Sequence, residues 1–102
     1  MIKSISFAVI AITLIFSLPL AASDVNSGGK VYRTYCAKCH GSSGNSVMAG
    51  APDLSRPGSL SQSDQGLLIR IQSGKNACPG FRGILSEQRI FDVIAFIRTL
   101  SF

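Results

Sequence analysis

The chain has 102 residues, ten Lys and Arg against five Asp and Glu, and a formal net charge of +5. That length allows one small domain and excludes a second. The cations are scattered, with no basic cluster of the kind a nucleic-acid interface needs, so nucleic acid is excluded as a partner.

The start, MIKSISFAVIAITLIFSLPLAAS, does not read as part of the domain. Lys3 supplies a positive end, and Ile5 to Leu18 form an apolar run broken only by Ser and Thr. Pro19 stops the run, and Ala21, Ala22 and Ser23 offer small residues for cleavage. This order predicts an export leader over residues 1–22, removed near Ala22 or Ser23, and a periplasmic domain over 23–102. The alternative is a leader kept as a membrane anchor, although the segment is slightly short for a full span. A domain of that size buries a modest core and usually needs a staple.

Within the domain, GGKVYRTYCAKCHG places Val31, Tyr32 and Tyr35 at a spacing that suits one face of a helix. Residues 41–60 are rich in Gly, Ser and Pro and lack periodicity, which predicts a long loop. SQSDQGLLIRIQSG predicts a second helix, with Ser61 or Ser63 as its N-cap and Gly74 as its stop. A loop, KNACPGFRG, follows. LSEQRIFDVIAFIRTL is the clearest helix, capped by Ser86, with Ile90, Val93, Ile94, Ile97 and Leu100 on one stripe and Phe96 at its margin. No segment reads as a strand. The expectation is an all-α domain of three to four short helices with long loops.

Chemistry concentrates in CAKCH, residues 36–40, the C-x-x-C-H arrangement of c-type haem attachment. Cys36 and Cys39 stand one helical turn apart, a spacing that lets two thiols form thioethers with two vinyl groups of one porphyrin. The imidazole of His40 is then placed under the iron as the proximal ligand. Covalent attachment also supplies the staple that the small core lacks. The rival is zinc held by Cys36, Cys39, His40 and Cys78. It suffers because the neighbouring side chains of Cys39 and His40 diverge. A thioredoxin-like pair would need a βαβ setting, which is absent, and a plain disulfide leaves the single histidine without a role.

Residues 28–101 resemble the small class I, monohaem c-type cytochromes of the bacterial periplasmic type. GGKVYRTYCAKCHG resembles that family's first helix and haem motif, APDLS its loop segment, and LSEQRIFDVIAFIRTL its final helix. The resemblance implies a cytochrome c fold wrapped around one covalent haem c. It implies that the Pro52 carbonyl accepts a hydrogen bond from Nδ1 of His40, tuning the proximal ligand. It also implies that Gly29 and Tyr32 of the first helix pack against Phe96 of the last.

One position departs from the family. Its members usually carry Met-Pro-x-Phe before the last helix, with the methionine sulfur as the distal ligand, whereas this chain has Cys78-Pro79-Gly80-Phe81. Four readings stand. Cys78 binds the iron as a thiolate; the sixth position holds water or stays open; Cys78 is a free or intermolecularly paired thiol; or Met48 is the ligand. The first is the reading adopted here for the distal site, and it predicts a lowered midpoint potential. Cysteine reaches roughly 1.5 Å less far than methionine, so the loop would move in, with the glycines at 74, 80 and 83 allowing the adjustment.

The resemblance implies an electron carrier rather than an enzyme. Lys38, Lys75 and Arg82 fall in segments expected to ring the haem edge, where they would meet acidic redox partner proteins. Two further readings are an enzyme or subunit acting on sulfur compounds such as thiosulfate, and a haem-based ligand sensor. A membrane enters only if the leader is retained.

Overall fold

The computed structural model describes residues 11–13 and 22–101. Apart from residues 11–13 and 22, the expected leader lies outside that range. Four helices follow one another: α1 (Val25–Tyr35), α2 (Ala37–His40), α3 (Asp64–Ser73) and α4 (Glu87–Arg98), with a short 3-10 turn over Pro57–Leu60. Among the described residues the only extended pairings are isolated bridges, Lys75 with Cys78 and Arg82 with Leu85. The architecture is all-α with long loops, the arrangement expected from the sequence.

Each main helix begins where a side chain satisfies its free N–H groups. Ser63 accepts from the Gly66 N–H and Ser86 from the Arg89 N–H, as their positions in the sequence predict. Asp24 does the same for α1, accepting from Asn26 and Ser27, so this helix starts at Val25, three residues before the Gly28 at which the sequence segment begins. At the other end, α1 breaks at Cys36 before α2 resumes for a single turn.

The core is made by α1 lying along α4, with α3 against α4. Tyr32, Ile90 and Ile94 are wholly buried, and Val31, Leu68, Val93 and Ile97 nearly so. Leu100, placed on the α4 stripe by sequence, is only partly buried. The Tyr32 and Phe96 rings meet at 5.2 Å between centroids, and a Cβ on Gly29 would touch the edge of Phe96 at 3.1 Å. Gly28 makes the tighter approach, since a Cβ there would overlap the main-chain carbonyl of Asp92 at 1.9 Å. Arg98 closes the other end of the molecule, bonding Asp64 at the start of α3 and the carbonyls of Leu60 and Gln62.

Two outcomes follow from this packing. Gly28→Ala meets rigid backbone and is expected to cost about 3 kcal/mol or more in denaturant unfolding, whereas Gly29→Ala meets a ring that can shift and costs about 1 kcal/mol. Tyr32 donates to the Gly41 carbonyl at 2.6 Å, and burial pushes its phenol up to about 12. A raised acid contributes stability that is complete below its unfolded pKa of about 10 and is lost as pH climbs through the folded value. The stability advantage of the wild type over Tyr32→Phe should therefore shrink between those two limits in thermal melts; an advantage that stays constant across this window contradicts the assignment.

Candidate haem cleft

α2 sets the chemistry, because its single turn carries Cys39 and His40 and its first flank is Cys36. All three residues line one cleft of about 490 Å³, which α3, α4 and the loops at 48–54 and 75–79 complete. Its walls are largely apolar, with Leu54, Leu60, Leu67, Phe81 and Ile97 among them, and its volume falls in the range of cofactor sites, roughly 300–1,000 Å³. Burial, reinforced by the nearby Cys78 and Cys39 sulfurs, pushes the Cys36 thiol up to about 12. All three sulfurs line this cleft, with Cys36 the poorly solvated one.

His40 is oriented from the loop. Its Nδ1 lies 3.0 Å from the Pro52 carbonyl. A carbonyl only accepts, so Nδ1 is the donor, and in the neutral ring Nε2 keeps its lone pair. Pro52 is in turn held by a network within residues 39–55. The Ser46 N–H donates to Asp53 at 2.6 Å, the Val47 N–H to the Cys39 carbonyl at 3.0 Å, and the Leu54 N–H to the Gly44 carbonyl at 2.8 Å. Gly41 and Gly44 adopt positive φ values that let this long loop fold back on α2. The long loop thus has a purpose, which is to carry a carbonyl to the imidazole.

In the loop between α3 and α4, Cys78 lines the same cleft, is exposed and ends a tight turn. The Lys75 and Cys78 main chains exchange two hydrogen bonds, 3.1 and 3.0 Å, around Asn76 at φ 54°. Its thiol has a weak contact, 3.7 Å, to the Pro79 carbonyl. Gly74 and Gly80 are not spare hinges. A Cβ on Gly74 would strike the Cys78 carbonyl at 2.6 Å, and one on Gly80 the Gln72 carbonyl at 2.7 Å. Both glycines let the loop press against the end of α3, while Gly83 has open space around it. Met48 also lines the cleft, on the same loop as Pro52.

The rim is cationic. Lys38 and Lys75 line the cleft, and Arg70 joins them from α3, whereas Arg82 is exposed but is not among the lining residues. Sequence reasoning missed Arg70. Its signal was present, since it follows Leu67 by three residues and precedes Ile71, which places it beside the face that α3 turns inward.

This donor set suits a porphyrin better than a bare ion. Among the described residues, no group of three or more His, Cys, Asp or Glu side chains is arranged to hold a metal ion. Two thiols and an imidazole with a free Nε2, at the edge of an apolar cleft, match what covalent haem attachment requires. Also among the described residues, no helix is long and apolar enough to cross a membrane.

The comparisons agree. Residues 23–97 match the family model described as cytochrome c oxidase, cbb3-type, subunit III. Cytochrome c6 of Thermosynechococcus vestitus is 39% identical over 101 residues, covering 93% of this chain and 88% of that protein. Cytochrome c6 of a Nostoc species is 35% identical, covering 83% and 78% respectively. The structure of cytochrome c6 from the diatom Phaeodactylum tricornutum superposes with a TM-score of 0.65 at 29% identity, covering 76% of this chain and 93% of that one.

The loop network makes a direct prediction. Asp53→Ala removes the acceptor of the part-buried Ser46 N–H and should lower unfolding stability by about 1–3 kcal/mol. No loss in thermal melts would show that the loop is held without it.

Proposed function

The chain belongs to the small monohaem class I c-type cytochromes and carries one covalently bound haem c, and we propose that Cys36 and Cys39 form its thioethers, with His40 and Cys78 as axial ligands. Its function is electron transfer with redox partner proteins. When bound, the haem supplies a one-electron ferric/ferrous couple. The observation that carries the ligand assignment is the shared cleft, lined by all three cysteines and by an imidazole whose Nδ1 is tied to Pro52.

Each residue has a physical task in this reading. The Pro52 carbonyl holds the His40 ring and makes Nε2 a better electron donor. The apolar walls exclude water and limit how much the surroundings must reorganise when charge changes. Cys78 supplies the sulfur at the position where the family usually has methionine. A thiolate is anionic and favours ferric iron, whereas a neutral thioether favours ferrous iron. Lys38 and Lys75, with Arg82 beyond the cleft, favour an acidic partner surface by long-range attraction. We place the domain in the periplasm after removal of the leader near Ala22 or Ser23.

Cys78→Met tests the distal assignment. Axial-ligand choice spans about 0.8 V among haem proteins, so the variant should raise the midpoint potential by roughly a few tenths of a volt. The spin-resonance spectrum of the oxidised protein should also change from a thiolate to a thioether signature. An unchanged midpoint and spectrum would rule Cys78 out as a ligand.

A further inference from the structure

Asp92 is the one charged side chain buried among the described residues, 7% exposed, and it does not line the cleft. Its Oδ1 accepts from the Gln88 side chain and from the main-chain nitrogen of Asp24, both at 2.9 Å. Both donors are neutral in the chain as translated, and neither ion pair seen among the described residues involves Asp92. A buried carboxylate without a cation is costly.

The sequence supplies a way to provide that cation. Ala21-Ala22-Ser23 places small residues at the two positions that an A-x-A-like cleavage site requires, directly before Asp24. A site one residue earlier would put the bulky Leu20 at the outer position. Residues 22–24 are exposed and precede the first turn of α1, and Asp24 has extended dihedrals, φ −105° and ψ 109°. A cut before Asp24 would leave α1 whole, with its N-cap as the first residue.

We infer that the leader is cut at the Ser23–Asp24 bond, and that the α-amino group so created is held by Asp92 as an ion pair between α1 and α4. The cut is a hydrolysis by a signal endopeptidase. Water adds to the Ser23 carbonyl and the C–N bond breaks. Ser23 leaves with a carboxylate on the leader, and the Asp24 nitrogen takes up protons to become an ammonium 2.9 Å from Asp92 Oδ1. A cation at a helix N-terminus opposes the helix dipole. Here two carboxylates offset it, that of Asp92 and that of Asp24 itself, which caps α1 through Asn26 and Ser27. Asp24 would then start α1 with its side chain and fasten α1 to α4 with its main chain. The inference rests on the proposed export reading and specifies its product.

Intact mass and N-terminal sequencing of the exported holoprotein test it first. The expected first residue is Asp24. A chain that retains the leader overturns both the reading of a removed leader and this inference, whereas a chain beginning elsewhere after the leader overturns only the latter. The ion pair is read separately, from acylation of the α-amine at pH 7 by an amine-reactive ester. A carboxylate partner that raises the amine pKa by one unit slows the reaction about tenfold. The folded wild type should therefore react about tenfold more slowly than Asp92→Asn, and more slowly than the wild type unfolded in denaturant. Equal rates in the folded and unfolded wild type would overturn the pairing even if the variant does not fold.

Discussion

One hydrogen bond, from Nδ1 of His40 to the Pro52 carbonyl, joins the turn that bears the thiols to the loop that closes the cleft. Much else in the structure serves to hold its two ends. α1 and α4 fix the first end, because their close approach at Gly28 positions the short α2 turn over the cleft. The second end depends on Ser46, Asp53 and the main-chain bonds that return the loop to Cys39 and Gly44. The result is a ring nitrogen with one defined tautomer, presented at an apolar cavity. A histidine free to rotate would offer either nitrogen, and neither in a fixed direction.

The two walls of the cleft are built differently. On the His40 side the loop is long and bonded along its length. On the Cys78 side it is a compact turn, pressed against the end of α3 by Gly74 and Gly80. Those glycines serve contact rather than movement, so any inward shift of Cys78 falls on the turn at 75–78 or on Gly83. This is where the proposed ligation would meet the shorter reach of cysteine. Sequence reasoning assigned the adjustment to three glycines, and the packing leaves one of them free for it.

Local chemistry was well written in the sequence. The C-x-x-C-H motif, the capping serines at 63 and 86, and the buried stripe of α4 all follow from spacings of a few residues, and apart from Leu100 they sit where those spacings put them. What escaped were contacts between distant segments. The Asp24–Asp92 bond spans 68 residues, and no local pattern distinguishes Asp92 from an exposed helix acid. Arg98 stands in the last turn of α4, and its guanidinium reaches three groups on Leu60, Gln62 and Asp64 that no local spacing names. Gly28 resembled half of an ordinary Gly pair until α4 was laid across it. Packing partners decide these roles, and a one-dimensional pattern does not name partners.

The proposed attachment of haem through Cys36 and Cys39 would tie together the cleft, the staple and the electron-carrying role. Its most direct test is to make the protein with a working c-type maturation apparatus, denature it, digest it, and weigh the peptide that contains residues 36–40. The account predicts a coloured peptide heavier than its amino acids by one haem. A colourless peptide with the mass of its amino acids alone would contradict it.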